Sequence, residues 1–496
     1  MAEIVFASVL LWLLLGGQVS ALLADGDTGW HIRTGDYILS QRRFPKTDLF
    51  SFSLPGASWF AWEWGSDVLF SLVHKAAGLK GVVLLAGVLI AATSALLVQY
   101  MLWLRVNIIV AVLATLIAAS ASTVHWLARP HLFTCLLFVI IVWLLEADRR
   151  RNTAWIFTLI PISALWANLH GGFLIVIPVL GLYSLASALE KTVSARGNWK
   201  AAGRYAGLAG LCALATLINP YGFRLHEHIW QYLRSGFIRD HVQEFQGPSF
   251  RGESMFAFEL LLAAGLLSAP SLWRRGERGP ALVLLALAHA ALGSVRHVLL
   301  YVAAAAPLAA REATGMLDRA CGVWSEALAG LAADYTPQTG GTSKFHLPWR
   351  VCVPIVLAGA LLNSGPALWR VDFPAAKFPQ AAINRTEKML VGRKVFTSDQ
   401  WADYLIYRFY PQERVFVDGR SDFYGSAIGQ DYLDAEQARY RWKEVFQRFG
   451  FEVALVSPEE PIATVLKTDP GWRVVCDDGQ AVVLEKISRP SARPAG

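Results

Sequence analysis

Long apolar stretches recur from the N-terminus to about Trp369 and are separated by short polar loops. Most of them approach the roughly 20 helical residues that cross the ~30 Å hydrocarbon core of a bilayer. The pattern therefore predicts about eleven transmembrane helices, some of them short, followed by a segment of soluble character. The predicted spans are 4–24, 81–104, 106–124, 132–145, 153–167, 172–189, 205–218, 254–273, 280–295, 297–310 and 351–369.

The first apolar stretch raises the question of a secretion signal. It is longer than the apolar core of a usual signal peptide, and no Lys or Arg precedes it. We interpret it as an uncleaved first span, and cleavage after Ala24 is the alternative.

Basic residues fall unevenly on the loops between the predicted spans. Successive loops alternate between the two sides of the predicted membrane and so form two sets. The short loops of one set carry only Arg129 and Arg296. Because cytoplasmic loops are enriched in Lys and Arg, the other set is predicted to face the cytoplasm. The N-terminus is then cytoplasmic and the chain beyond the last span extracytoplasmic. The basic set comprises Arg105, Arg149, Arg150, Arg151, Lys191, Arg196, Lys200, Arg204, Arg274, Arg275 and Arg278.

Residues 370–496 predict a small soluble α/β domain that follows a membrane domain of residues 1–369. Strands are indicated at 394–398, 414–418, 453–457 and 472–476, and helices at 400–409, 442–449 and 462–468. Asp418, Arg420 and Asp422 follow the second predicted strand. This turn is either a ligand-binding strand end or an Arg–Asp turn that stabilises the fold.

Composition agrees with a membrane protein. The chain is 54% hydrophobic and 17% charged, against roughly 25% charged residues in soluble domains. Residues 370–496 carry 18 basic and 18 acidic residues, so the net charge of +7 lies in the membrane domain. This distribution fits basic membrane-flanking loops and excludes a nucleic-acid partner. The five cysteines are scattered without a CxxC pair, which disfavours a disulfide framework or zinc site.

The first outer loop, residues 25–64, holds the strongest local signal. Asp25 and Asp27 lie just after the first span, with His31 and Arg33 close behind. A carboxylate at this place can act as a general base or help to bind a divalent cation such as Mg²⁺ or Mn²⁺. Asp27 can alternatively cap a short helix that runs to Tyr37.

The same loop ends in an aromatic cluster around one acid, Glu63. Its tryptophans, among them Trp62, suit either the apolar face of a sugar ring or the bilayer interface.

Other outer segments carry further polar residues. Arg129 and Arg296, with His297, are candidate ligands of a lipid phosphate. The alternative is that these residues only stabilise the ends of helices. Asn168 and His170 can face a cavity or form a structural turn, and the outer loop 219–253 predicts an interfacial helix. These residues belong to the segments Trp126–His131, Asn168–Gly172 and Ser294–His297.

The acid after the first span, the long outer loop and the aromatic-acid cluster resemble the GT-C superfamily of glycosyltransferases. That superfamily includes protein O-mannosyltransferases, aminoarabinose transferases and oligosaccharyltransferases. A closer similarity is to bacterial polytopic proteins grouped with them, and it extends over most of the chain. The motifs that carry it are Asp27-Thr-Gly-Trp-His-Ile-Arg-Thr-Gly35, Pro45-Lys-Thr-Asp-Leu-Phe-Ser-Phe52, Glu63-Trp64, Tyr410-Pro411 and Arg414-Val-Phe-Val-Asp-Gly-Arg-Ser-Asp422.

The resemblance implies an all-α membrane protein of GT-C-like topology with a small C-terminal α/β domain. It also implies a polyprenyl-phosphate-linked sugar donor, transfer on the extracytoplasmic face of a bacterial cytoplasmic membrane, and Asp27 as the catalytic acid with Asp25 as rival. Glu63 matches the acid of the family's aromatic cluster only loosely. The chain departs from the aminoarabinose transferases by having Gly-Asp-Thr where they have Asp-Glu, and it has no evident second DxD. A lipid or glycan transporter and a non-enzymatic assembly subunit are the alternative functions.

The predicted orientation can be tested with reporter fusions. A reporter that is active only outside the cytoplasm should work when fused after Trp369 and fail when fused at Arg150, because the positive loops retain the second site inside. Activity at Arg150 together with inactivity after Trp369 would reverse the orientation and move the first loop to the cytoplasmic side.

Overall fold

The computed structural model describes residues 1–15, 19–190, 198–320, 353–359 and 371–487. The chain divides into two compact units. The helical unit comprises Met1–Leu22, Ala77–Arg234 and Arg239–Arg370. The mixed unit comprises Leu23–Ala76, Ser235–Ile238 and Val371–Gly496, so it joins the first outer loop to the C-terminal domain. From the sequence we predicted one domain boundary, at 369/370. The grouping of the first outer loop with the C-terminal domain was not predicted.

The helical unit consists of helices that are apolar around most of their circumference. This is typical of segments buried in a bundle or in lipid. Two of them begin as 3₁₀ turns at Ala154–Thr158 and Gly171–Ile175, just before Pro161 and Pro178. The helices are α1 (Ala2–Leu15), α4 (Leu79–Trp103), α5 (Ile108–Ser122), α6 (His131–Arg151), α7 (Leu159–Trp166), α8 (Val176–Ala188), α9 (Trp199–Ala215), α10 (Phe223–Arg234), α12 (Glu253–Arg274), α13 (Arg278–Gly293) and α14 (Val298–Ala320). The short helix α11 (Gly236–His241) has residues in both units.

Five helical segments in the described part of the chain are long and apolar enough to cross a membrane. Two of the spans predicted as short lie within longer helices, because α6 has 21 residues and α14 has 23. Shorter apolar helices occur at Ala2–Leu14, Ala154–Trp166 and Arg278–Gly293. The predicted span 351–369 lies outside the described residues except for the helical stretch 353–359. The five segments are Leu79–Trp103, Ile108–His125, His131–Arg151, Gly171–Ala188 and Met255–Arg274.

The outer loop 219–253 contains the helix that its sequence predicted. In α10, Leu225 and Ile229 are buried while Phe223 and Trp230 are exposed. A short helix with one buried apolar side and an aromatic exposed side suits an interfacial position.

The mixed unit is built on a four-stranded sheet of order β1-β2-β4-β3. β1 pairs with β2 in parallel, and the other neighbours pair antiparallel. Strands β1, β2 and β4 carry the buried core, which includes Phe396, Ala454 and Leu484. The elements are β1 (Val395–Phe396), β2 (Val453–Val456), β3 (Trp472–Asp477) and β4 (Val482–Lys486), with helices α2 (Asp27–Gln41), α3 (Trp64–Ala77), α15 (Gln380–Leu390), α16 (Asp399–Phe409), α17 (Ser421–Glu436), α18 (Trp442–Phe449) and α19 (Pro461–Thr468).

The predicted strand at 414–418 is not part of this sheet. Instead, the extended chain there pairs with the first outer loop. The Val415 N–H donates to the Phe50 carbonyl at 2.9 Å, and the Phe52 N–H donates to the Val415 carbonyl at 2.9 Å. The hydroxyl of Ser53 adds a bond to the Phe416 carbonyl at 2.6 Å. The predicted strand is therefore wrong: Val415 forms only an isolated bridge, and its partner Ser51 lies 364 positions away in sequence. The sequence analysis also missed β4, α15 and α17.

A buried ion pair holds the same two segments together. Arg420 is 3% exposed and contacts Asp418 at 2.6 Å and Asp48, in the first outer loop, at 2.8 Å. Asp48 in turn accepts hydrogen bonds from the amide and hydroxyl of Ser51. The guanidinium also lies 4.6 Å from the ring centre of Trp59. Of the two roles considered for the Asp418–Asp422 turn, this geometry supports the stabilising one.

We expect Arg420→Met to destabilise the protein by about 3–5 kcal/mol, because it leaves two buried carboxylates without their cation. The readout is the thermal unfolding midpoint of the full chain in detergent. Arg473→Met is the matched control, since its exposed pair with Glu485 contributes at most about 1 kcal/mol. Equal midpoints for the two variants would show that the Arg420 pair does not hold the loop.

Candidate active site

Helix α2 lies within the first outer loop, and the two predicted acids, Asp25 and Asp27, lie at its N-terminal end. Asp25 accepts a hydrogen bond from the Asp27 amide at 2.9 Å, so Asp25 shapes the turn before the helix. The N-cap is Gly26, which makes no side-chain cap bond, and Asp27 is the first helical residue. Asp27 is therefore not the N-cap that its sequence context allowed. Its side chain is buried at 5% exposure and faces the interior of the mixed unit.

Two carboxylates from distant parts of the chain converge beside Gly419. A Cβ atom at Gly419 would lie 1.9 Å from Asp27 Oδ1 and 2.9 Å from Asp403 Oδ2. The Gly419 N–H points at Asp403 and lies 3.2 Å from each of its carboxylate oxygens. Only glycine leaves room for both acids to approach this backbone. Asp27 and Asp403 thus form a close pair of buried carboxyl groups.

Further acids surround this pair, and we call Asp27, Asp399, Asp403 and Asp418 the acidic cluster. Burial, followed by the charges of Asp27 and Asp418, raises the pKa of Asp403 well above its usual range. Burial likewise raises the pKa of Asp399 to about 6. Like charges in one desolvated site cannot all ionise, so burial and the neighbouring acids favour the protonated form of Asp403.

One turn beyond Asp27 lies a second buried group centred on His31. Its Nδ1 is 2.6 Å from Asp67 Oδ1, and its Nε2 is 3.8 Å from Glu63 Oε2. Burial and the charge of Glu63 raise the pKa of Asp67 well above its usual range. The ring of Trp30 lies against the imidazole, with ring centres 3.6 Å apart. His31 therefore bridges two acids in the packed interior of the mixed unit.

The remaining predicted residues of this loop have structural contacts. Arg33 donates through Nε to the Tyr407 carbonyl at 2.9 Å and through Nη1 to Asp36 at 3.0 Å, which ties α2 to α16. Trp62 is half-buried beside the buried Glu63. Substrate roles for Arg33 and Trp62 stay predictions.

In the helical unit, the two arginines predicted to bind phosphate share one carboxylate. Arg129 Nη1 lies 2.7 Å from Glu244 Oε1, and Arg296 Nε lies 3.4 Å from Glu244 Oε2. Arg296 also donates to the Tyr232 hydroxyl at 2.9 Å and stacks over Phe245 at 4.6 Å. The charge of Arg129, more than that of Arg296, lowers the pKa of Glu244. This arginine cluster, Arg129, Glu244 and Arg296, keeps a net charge of about +1.

Histidines fix the backbone around the arginine cluster. His125 Nε2 lies 2.9 Å from the carbonyl of Val295, and His131 Nε2 lies 2.6 Å from the carbonyl of His125. His170 Nδ1 pairs with the Thr134 hydroxyl at 2.7 Å. The Asn168 amide donates to the carbonyls of Ala164 and Ile218, at 2.7 and 2.8 Å. His297 is half-buried directly after Arg296. Asn168 and His170 thus form the structural turn that was one of their two predicted roles.

Cation binding at Asp25 and Asp27 stays a prediction. Within the described ranges, no group of three or more His, Cys, Asp or Glu side chains has the arrangement of a metal site. The carboxylates near Gly419 are the donor type that Mg²⁺ and Mn²⁺ prefer, but they are packed against backbone as they stand.

Comparison with solved structures shows that the fold is similar to that of an archaeal oligosaccharyltransferase. The apo oligosaccharyltransferase of Archaeoglobus fulgidus matches with a TM-score of 0.53 at 11% sequence identity, over 92% of this chain and 69% of that chain. The same organism's oligosaccharyltransferase AglB, in complex with an inhibitory peptide and a dolichol-phosphate, matches with a TM-score of 0.49 at 13% identity, over 91% and 69%. No protein-family model and no curated protein matches the sequence. The predicted helical membrane domain with a small C-terminal α/β domain agrees with this fold, and the count of about eleven spans stays a prediction.

Four acids escaped the sequence analysis, namely Asp67, Glu244, Asp399 and Asp403. Three of them left a weak signal, because Asp67 follows Glu63 by four residues and Asp399 and Asp403 are four residues apart on one helical face. Glu244 left none, since it sits among several charged residues in a long loop. Their partners lie far away in sequence, so spacing alone could not select them.

The raised pKa of Asp403 predicts a pH effect on stability. Its carboxyl titrates near pH 4 when unfolded. Folding therefore favours the protonated form, and the stability it contributes is lost as pH rises from about 4 through the raised folded pKa. We expect Asp403→Asn, which can still accept the Gly419 N–H, to lose less stability than wild type between pH 5 and 8. The measurement is the thermal unfolding midpoint in detergent at both pH values.

Some pH dependence should persist in Asp403→Asn, because burial also raises the pKa of Glu413 to about 8 and of Glu460 to about 7. Glu387→Gln, an exposed change in the same unit, should track wild type. An unchanged slope in Asp403→Asn would contradict a protonated Asp403 at Gly419.

Proposed function

We propose that this protein is a membrane glycosyltransferase that transfers a sugar from a polyprenyl-phosphate-linked donor to an acceptor on the extracytoplasmic face. The observation that carries the proposal is the GT-C fold, combined with a buried acid directly after the first apolar helix. Oligosaccharyltransferase is the activity named for the structures that share this fold. The sugar and the acceptor are left open.

The proposed reaction is a displacement at the anomeric carbon. The acceptor oxygen or nitrogen bonds to that carbon, the bond to the phosphate oxygen breaks, and its electron pair leaves with the phosphate. Asp27 accepts the proton from the acceptor. Its neighbour Asp403 supports this role, because a protonated Asp403 lets Asp27 carry the charge of the pair. A base in a desolvated site of this kind typically contributes about 10²–10⁴-fold in rate.

The leaving phosphate needs a positive partner as negative charge develops on it. The arginine cluster supplies two guanidinium groups from separate outer turns of the helical unit, and an arginine can hold a phosphate through two parallel hydrogen bonds. Arg129 and Arg296 are therefore the proposed donor ligands. The full arrangement of about eleven spans in a bacterial cytoplasmic membrane, with the N-terminus inside, belongs to the same proposal.

The decisive variant is Asp27→Asn. It keeps the shape of the side chain, so folding and membrane insertion should survive, and it removes the charge. Release of polyprenyl phosphate or polyprenyl diphosphate from a panel of the corresponding synthetic lipid-linked sugars should slow about 10²–10⁴-fold. Asp240→Asn removes a charge from an exposed position and should retain the wild-type rate.

Asp25→Asn separates the base from a metal role. Asp25→Asn should slow sugar transfer less than Asp27→Asn does. If both acids instead bind a cation, both substitutions should slow transfer severely and a chelator should have the same effect. A folded Asp27→Asn protein with wild-type transfer would remove Asp27 from catalysis. Failure of the wild type to consume any donor of the panel would favour a transporter or an assembly subunit.

A further inference from the structure

Helices α4 and α6 of the helical unit end side by side, on the side that the sequence predicts to be cytoplasmic, and an aromatic group joins them. Tyr100 and Trp103 belong to the last turn of α4, and Trp143 belongs to α6. The ring centre of Tyr100 lies 6.3 Å from that of Trp103 and 5.7 Å from that of Trp143. Such rings are enriched at membrane surfaces, because they tolerate both hydrocarbon and headgroups. These residues have no part in the proposed reaction.

Two guanidinium groups lie near the ring of Trp103. The Cζ atom of Arg150 is 5.2 Å from the ring centre, and that of Arg151 is 6.0 Å from it. Both distances are within the range of cation–π contacts, about 6 Å. Arg105 follows Trp103 by two residues, in the turn between α4 and α5. Three arginines at the ends of two helices are thus gathered beside one tryptophan.

Two of these arginines lack a counter-ion. The nearby acid, Glu146, accepts hydrogen bonds from Arg149 at 2.7 and 2.8 Å and from Arg150 at 2.7 Å. In the described part of the chain, Arg105 and Arg151 form no ion pair, and both are exposed. Two positive charges beside Trp103 are therefore available to an anion from outside the chain.

The backbone at Arg105 supports a role for its side chain. Its φ is 65°, in the left-handed region that a bulky side chain rarely adopts. Glycine is the usual residue at this point, directly after the last turn of a helix. A glycine would fit the turn with less strain, so the turn itself does not account for the arginine. Residues held in such conformations are often those with a binding role.

We propose that the ends of α4 and α6 bind the headgroup of an anionic phospholipid in the adjoining leaflet. The site consists of Trp103, Arg105, Arg150 and Arg151. Each guanidinium can hold a phosphate through two parallel hydrogen bonds, and the indole ring offers an apolar surface to the glycerol carbons. Basic pockets between membrane helices bind headgroups of this kind.

The charge of the site determines which lipid it selects. Phosphatidylcholine carries a cation that offsets its phosphate, and the arginines repel that cation. Phosphatidylglycerol and cardiolipin carry net negative charge, so the site favours them. Arginines that served only to retain a loop in the cytoplasm would need no contact with one common ring. The proposal is independent of the proposed sugar transfer.

The test titrates the full chain in detergent micelles with dioleoyl phosphatidylglycerol and measures bound lipid by native mass spectrometry. Phosphatidylcholine is the neutral reference, and wild type should bind it more weakly. Arg105→Gln combined with Arg151→Gln removes the two charges without a counter-ion and should weaken phosphatidylglycerol binding about 10–30-fold. The thermal unfolding midpoint should stay at the wild-type value, because both side chains are exposed.

The matched control is Lys200→Gln combined with Arg274→Gln, which removes two exposed charges elsewhere on the same predicted side. It should bind phosphatidylglycerol within about twofold of wild type, because distant exposed charges are largely screened. Lysine at both 105 and 151 should restore part of the binding, since it keeps the charge without the planar fork.

Three results would overturn the site. Equal weakening in the two glutamine double variants would show a diffuse attraction of lipid to basic loops. Equal binding of phosphatidylglycerol and phosphatidylcholine by wild type would remove the selectivity for anionic lipid. Displacement of bound phosphatidylglycerol by millimolar inorganic phosphate would assign the arginines to a soluble phosphate instead.

Discussion

The mixed unit depends on a buried cation, Arg420, which joins the first outer loop to the C-terminal domain. A buried guanidinium is stable only when carboxylates with good geometry surround it. Here one carboxylate, Asp418, comes from the same turn, and the other, Asp48, comes from the beginning of the chain. Neither segment can satisfy this charge alone. The backbone pairing of Phe50 and Phe52 with Val415 then follows from the same alignment, because it lies a few residues from the ion pair on both strands.

This alignment also determines the environment of the proposed catalytic acid. With the Arg420 turn in place, Gly419 and Asp403 lie against Asp27. The helix that carries Asp27 packs on α16 through Gly26 and Gly29. A side chain at either glycine would collide with α16. The C-terminal domain thereby supplies both the glycine that leaves space for Asp27 and the carboxyl group of Asp403 beside it. In this arrangement the domain is part of the candidate active site, a role that its sequence alone did not indicate.

The fold was largely predictable from sequence because its signals are local. Apolar length predicted most helices of the helical unit, and the motif after the first span predicted a fold that is similar to a solved oligosaccharyltransferase structure. The candidate site was predictable only in part. Asp27, Arg129 and Arg296 were selected by chain position and charge, whereas Asp403 and Glu244 depend on contacts across long sequence separations. The segment 414–418 illustrates the limit: its pattern predicted a strand, whereas the segment forms a single isolated bridge to the first outer loop, which no local pattern indicates.

Glu244 gives the arginine cluster a property that the two arginines alone would lack. Two unpaired guanidinium groups in a partly desolvated place would bind a phosphate strongly both before and after sugar transfer. An enzyme gains rate only from interactions that strengthen as charge develops in the transition state. Glu244 lies between the two arginines and, in the proposed reaction, would compete with the donor phosphate for their guanidinium groups. That competition would weaken ground-state binding, while the growing negative charge on the leaving oxygen would still meet a net positive site. A carboxylate shared by the two proposed phosphate ligands is therefore compatible with turnover, because it would oppose retention of the product phosphate.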